Sequence, residues 1–314
     1  MPALAVVAFM IMLVAKPNYF LQSASNGLLL FATSVLPAIF PFFFCSTLLT
    51  AIGAARAVAK LGAKPVRTLF NAPPEGAYVF ALSLLSGYPI GAATVADLYT
   101  RGAITRDEAK KIASFTSTSG PIFVLGTVGS AVFGSPAYGA VILLSHYLAA
   151  FVTGIVFRGR RQQSERTEAR LLATDTDNLL AESISSSTLS MLAVGGYIVL
   201  ANMLIDALAL TGIGDLIAAI PNGEISSVLR ALLTGLVEMT RGSMMSKEIG
   251  NLPLALACAC GTVSFGGLSV IAQTLTFLGR CGMGFGAVLI RKAVQSCAAF
   301  LLCLMFSHIF FTLF

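Results

Sequence analysis

LLSGYPIGA, residues 84–92, places Gly87, Pro89 and Gly91 in the middle of an apolar segment running from about residue 76 to residue 99. Glycine and proline interrupt helices, so the reading of this stretch decides the fold. Irregular backbone at membrane depth is tolerated only where protein or a water-filled cavity satisfies its polar groups. The stretch is therefore predicted to be the tip of a re-entrant hairpin whose two arms enter and leave on the same side. A second segment, 225–247, carries Gly235, Glu238, Arg241 and Gly242 at its middle and is read the same way.

The surroundings require a membrane. Of 314 residues, 56% are hydrophobic and only 11% charged, against about a quarter charged in soluble domains; mean hydropathy is +0.86. Apolar segments near 3–19, 21–53, 76–99, 111–133, 136–157, 180–211, 225–247, 252–278 and 284–313 follow one another with short charged interruptions. This is the pattern of an all-α polytopic membrane protein in a bacterial cell membrane. The net charge of +6 does not point to nucleic acid, because Lys and Arg fall in short loops and form no basic aromatic face. Cys45, Cys258, Cys260, Cys281, Cys297 and Cys303 lie mostly in apolar runs without metal-ligand spacing, and read as packing residues. The first run, Ala3 to Ala15, lacks a basic flank and is taken as a retained transmembrane helix, residues 1–19.

Charge placement sets the predicted topology. If the two hairpins do not cross and the other seven segments do, loops 54–75, 100–110 and 158–179 share one side. Together with Lys111 at the adjoining helix start and with Arg280, Arg291 and Lys292 they hold sixteen of the twenty basic residues, which makes that side cytoplasmic. The segments also repeat: Leu84 to Gly87 has a counterpart in Leu232 to Gly235, Leu48 to Gly53 in Leu208 to Gly214, and the break at Ser117 to Pro121 in Ser264 to Gly267. Each unit holds three crossings, an odd number, so the second is inverted relative to the first. The expected architecture is two inverted-topology repeats, 20–157 and 180–314, joined by a cytoplasmic linker at 158–179. Each repeat has a re-entrant helical hairpin and a broken transmembrane helix, giving about seven crossings plus two hairpins. Such repeats are the architecture of secondary transporters, whose substrate sites lie near the midplane. Asn26 to Pro37 is expected to form an interfacial amphipathic helix that turns at Pro37 and Pro41 before Phe42 to Gly53 enters the membrane.

Four breaks carry the candidate site: Ser86, Gly87, Tyr88, Pro89 and Gly91; Ser117, Thr118, Ser119 and Gly120; Glu238, Thr240, Arg241 and Gly242; and Ser264, Gly266 and Gly267. A broken helix offers free N–H groups and a positive dipole end, which suit an anion. Ser119 is the expected cap of a half-helix opening at Pro121. Close packing of small residues explains single glycines equally well. Glu238 and Arg241 stand at mid-segment, where charge needs a partner or a purpose. Their spacing lets them pair with each other; otherwise Arg241 offers a fork to a substrate carboxylate and Glu238 takes a proton, a cation or a donor group. Gln273 adds a polar contact, and Tyr88 offers a ring and a hydroxyl to an aromatic ligand. His146 and His308 stand far from paired carboxylates, and no nucleotide-binding fingerprint occurs, so neither enzyme activity nor a cofactor or metal is expected.

The phrases LPAIFPFFFCSTLL (36–49), SGYPIGA (86–92), STSGPIFVLGTVG (117–129), GLVEMTRG (235–242) and SFGGLSVIAQ (264–273), in this order, resemble the YlbJ or SpoVV family of sporulation membrane proteins. That family carries the nucleoside-recognition or Gate domain, similar in pattern to concentrative nucleoside transporters. The resemblance implies passage of dipicolinic acid from mother cell to forespore across the outer forespore membrane. A small aromatic dianion suits helix N-termini, Arg241, hydroxyls and Tyr88. A nucleoside suits the same hydroxyls and Glu238, and a scaffold binding a partner protein is the third expectation. The coupling ion, Na+ or H+, and the oligomeric state, homo-oligomer or monomer, stay open.

Overall fold

The computed structural model describes residues 2–52, 54–159, 178–212 and 223–313, among which every regular element is helical. α1 (Pro2–Ala15) breaks at Lys16 and Pro17 into α2 (Pro17–Leu30), with a bend of 105° between them. The helical path then continues through a π-helical turn, Phe31–Val35, into α3 (Leu36–Ala51). Pro37 sits in the first turn of α3, where its missing N–H is harmless, and Pro41 lies inside the same helix. Asn26 to Pro37, expected to be an interfacial helix, is helical throughout and continuous with α3 by way of the π-helical turn.

The segment 54–75, expected as a loop, is largely a helix. α4 (Ala54–Phe70) exposes Lys60, Lys64 and Arg67 and buries Ala59, Val66 and Phe70. This division of faces follows the helical period, and Phe70 stacks on Phe115 with ring centroids 4.1 Å apart.

α5 (Glu75–Ser86) and α6 (Ile90–Thr100) flank the opening stretch, and α7 (Arg106–Ile112) follows. α7 starts on a full capping box, in which Thr105 and Glu108 satisfy each other's backbone N–H groups. After it the chain runs without regular structure over 116–120, then enters a π-helical segment, Ile122–Val132, and α8 (Pro136–Val156). The second half holds α9 (Leu179–Leu210), α10 (Glu224–Val237), α11 (Met239–Met245), α12 (Leu252–Phe265), α13 (Gly267–Leu278) and α14 (Phe285–Leu313). The linker at 158–179 and the loop end at Gly214 lie, apart from the linker's outermost residues, outside the described residues.

Among the described residues, four helices are long and apolar enough to cross a bilayer: Pro136–Val156, Leu179–Leu210, Leu252–Cys281 and Phe285–Thr312. A fifth is added if α1 and α2 count as one bent span. The chain is accordingly a helical membrane protein. The two halves share their cores. Val79, Val95, Ile112 and Phe115 pack with Ile271 and Val288, and Val124, Ile142 and Ala149 pack with Leu256, Val263 and Ala299.

Candidate functional site

α5 ends where Gly87 adopts a left-handed φ of 83°, a conformation that favours glycine. The chain doubles back there. A Cβ placed on Gly91 would meet the Thr116 carbonyl oxygen and come within 3.1 Å of Ser83 Cβ, although 83 and 91 lie eight positions apart. The same occurs in the second half, where Gly242 faces the backbone of Gly235 across the break at Glu238. Glycine at these positions is what allows the arms to touch.

The break at 116–120 docks on this first turn. Thr118 Oγ1 donates to Ser83 O at 2.7 Å, Gln295 Nε2 donates to Ser117 O at 2.9 Å, and a Cβ on Gly120 would lie 2.9 Å from Ser86 O. In the second half, Gly266 and Gly267 are both left-handed, at φ 81° and 71°, and a Cβ on Gly267 would lie 2.7 Å from Val237 O. Each break therefore rests against the end of the preceding half-helix. Ser119 is not a side-chain cap, since no side-chain hydrogen bond closes the start of the π-helical segment. Its backbone N–H instead donates to His146 Nε2 at 2.7 Å.

That bond fixes the imidazole. With Nε2 accepting, Nδ1 carries the proton and donates to Ser264 Oγ at 2.7 Å. His146, fully buried on α8, thereby clasps the break of one half to the break of the other. Beside it, Tyr88 donates its hydroxyl to Val263 O at 3.1 Å and to Ser264 O at 3.3 Å. Lys292 Nζ reaches the same Ser264 carbonyl at 3.2 Å and lies 3.9 Å from the centre of the Tyr88 ring. The last carbonyls of α12, otherwise unmatched at a helix end inside a membrane, thus receive an ammonium and a phenol.

Glu238 and Arg241 do not pair through their side chains. The Glu238 carboxylate caps α11, accepting from Thr240 N at 3.0 Å and Arg241 N at 2.8 Å. It fills the helix end that the sequence appeared to offer to a substrate anion. The Arg241 guanidinium turns to Asp206 on α9, with Nη1 to Oδ1 at 3.2 Å.

A cavity of about 90 Å³ sits where the breaks converge, room for a few waters. Of the expected residues, Ser86, Tyr88, Ser119, Gly120, Glu238, Thr240 and Gln273 line it, with Ser269 and a largely apolar wall from α3, α9 and the π-helical segment. Gln273 Nε2 donates to Ser269 Oγ at 3.3 Å. Gly87, Pro89, Gly91, Ser117, Thr118, Arg241, Gly242, Ser264, Gly266 and Gly267 stand behind this lining. The Tyr88 hydroxyl, expected for a ligand, is taken by the carbonyls of α12.

A second, more polar cavity of about 480 Å³ lies further along α3 and α9. Ser46, Thr47, Thr50, Thr94, Asp97, Ser183, Ser186 and Ser190 line it, and Arg101, Glu182 and Arg280 stand exposed at its mouth. One apolar cluster reaches both cavities as a septum: Phe43 lines the second, Val194 lines the first, and Leu82, Ile90 and Met191 pack with them.

His146, Asp206, Lys292 and Gln295 are the site's unforeseen members. Lys292, grouped by sequence with the loop charges, is 1% exposed. The available signal was a pair of adjacent cations, Arg291 and Lys292, two turns into a long apolar helix. His146 offered only its place in an apolar run.

No protein-family model matches the chain, and no solved structure matches it. Among curated relatives, it is 27% identical over 310 residues to a Bacillus subtilis (strain 168) protein named "Sporulation integral membrane protein YlbJ", covering 90% of this chain and 76% of the relative. Taken with the apolar helices of a multi-pass membrane protein, this likeness supports assigning the chain to the YlbJ family of sporulation integral membrane proteins.

Proposed function

We propose that this chain acts in sporulation by moving a small organic anion, dipicolinic acid foremost, across a membrane through the cavity at its four breaks. One observation carries the reading: residues adjoining every break, Ser86, Ser119, Glu238 and Ser269 among them, converge on a single cavity. A scaffold has no need of such a space. The name of the YlbJ relative, a sporulation integral membrane protein, supports a membrane setting in sporulation, which the proposal takes to be the outer forespore membrane, and the apolar and hydroxyl lining suits an aromatic ring bearing carboxylates.

Paired contacts favour the inverted-repeat architecture of transporters. Gly120 rests on Ser86, the last residue of α5, and Gly267 rests on Val237, the last of α10. Re-entrant hairpins at 84–92 and 235–242, about seven crossings and a cytoplasmic face on the basic side complete the arrangement. In this reading the protein is neither an enzyme nor dependent on a cofactor, and Na+ or H+ drives any uphill movement.

A second reading, nucleoside transport, gains from one feature. Among the described residues, Glu238 is the only charged side chain lining the cavity, and a carboxylate suits hydroxyl and amino donors better than an anion. Uptake into proteoliposomes decides between them. Accumulation of labelled dipicolinate, uncompeted by uridine or adenosine, is expected. Uptake of nucleosides with exclusion of dipicolinate establishes the second reading, and impermeability to both leaves the scaffold.

A further inference from the structure

The cavity's cation is missing from its lining. Arg241, expected there, is committed to Asp206, and Glu238 brings a negative charge. An anion seated beside Glu238 needs a countercharge, because charge inside a membrane protein is tolerated only when matched. Among the described residues, Lys292 is the one cation that is fully enclosed, and no carboxylate lies within ion-pair distance of it. Its ammonium has three donors but one conventional hydrogen bond, to Ser264 O. The Tyr88 ring lies over the ammonium at 3.9 Å, a small void beside Ser117, Thr274 and Gln295 adjoins Lys292 on another side, and Tyr88 itself lines the cavity.

We propose that Lys292 is the countercharge of the binding site and that Tyr88 is its shutter. A carboxylate on an aromatic ligand held in the cavity reaches the ammonium when the Tyr88 ring turns aside. The exchange keeps the Ser264 carbonyl capped, because Lys292 and Tyr88 both donate to it and the ammonium stays when the phenol leaves, and it gives up only the phenol's bond to Val263 O. The ring–cation contact given up is replaced by a charge-assisted hydrogen bond, the stronger of the two. The inference rests on the anion-transport reading and names the residue that selects for charge.

Calorimetric titration of the purified full-length protein with dipicolinate and with its uncharged diamide tests it. Lys292→Gln, which keeps a donor for Ser264 O and removes the charge, is expected to weaken dipicolinate binding about 10- to 100-fold while the diamide binds as to wild type. Lys292→Arg is expected to retain the preference for dipicolinate. Equal weakening of both ligands, or unchanged dipicolinate binding in Lys292→Gln, overturns the assignment while leaving anion transport in place. A wild-type protein that binds nucleosides but no carboxylate overturns both. Should Lys292→Gln fail to fold, a structure of the wild-type protein with dipicolinate gives the answer directly. A carboxylate within hydrogen-bond reach of Nζ supports the proposal, and one held elsewhere with Tyr88 still over Lys292 refutes it.

Discussion

Replacing His146 by leucine removes the only side chain that bonds to both Ser119 and Ser264, with little change in volume. The Ser119 N–H loses its acceptor at a position 2% exposed and has no freedom to find another. The Ser264 hydroxyl loses a donor, although it can rotate. A buried polar group left unmatched costs about 1–3 kcal/mol, so the backbone N–H alone sets a loss of about 1–3 kcal/mol, and both groups together about 2–6 kcal/mol. At about 2–4 °C per kcal/mol for chains of 150–250 residues, the larger figure corresponds to a fall of roughly 5–20 °C in melting temperature. The chain contains no tryptophan, so a thiol-reactive dye is the natural probe. Cys258, Cys260, Cys281 and Cys303 are buried and report unfolding, while Cys45 and Cys297 are exposed and are replaced by alanine in the background. Ser264→Ala combined with His146→Leu completes a double-mutant cycle, with an expected coupling of about 1 kcal/mol or more. A His146→Leu protein that melts with the wild type, or a cycle without coupling, refutes the clasp.

Gly91→Val places a branched side chain against the Thr116 carbonyl and Ser83; a loss of about 1–3 kcal/mol, as for overpacked cores, is expected in the same dye assay, and an unshifted melt contradicts the close approach. Phe43→Ala thins the septum between the two cavities and is expected to raise the leak of a small neutral solute from proteoliposomes, at a stability cost of up to about 3–5 kcal/mol. A tight Phe43→Ala vesicle shows that the septum does not separate them.

The breaks were legible because glycine and proline act locally. Gly87, Gly120, Gly266 and Gly267 mark interruptions whatever packs around them. What packs around them was not legible. Lys292 meets Ser264 across 28 positions, His146 meets it across 118, and Tyr88 across 176, separations on which helical periodicity carries no information. Arg241 shows the limit of local reasoning: Glu238 is three positions away, yet the half-helix bends the carboxylate onto backbone N–H groups and frees the guanidinium for Asp206, 35 positions earlier. The match of Leu84–Gly87 with Leu232–Gly235 was literal rather than spatial. Gly87 stands at its break, whereas Gly235 lies inside α10, where a Cβ would strike Thr262. Small residues mark close approach as readily as they mark turns. α4 was hidden for the converse reason, since Gly62 and Pro65 argue against the helix that Ala59, Val66 and Phe70 then support from its buried face.

The hydroxyl-lined vestibule along α3 and α9 has an electrical consequence. On the transport proposal its polar wall and the exposed residues at its mouth carry the electrostatic potential of one bathing solution inward as far as Phe43. The voltage across the bilayer would then be concentrated over the short septum and the cavity behind it, where each elementary charge gains or loses about 2.3 kcal/mol per 100 mV. A charged solute taking this route would meet the full membrane field within a few side chains, and the thickness of that apolar layer, more than the thickness of the lipid, would govern how steeply its passage depends on voltage.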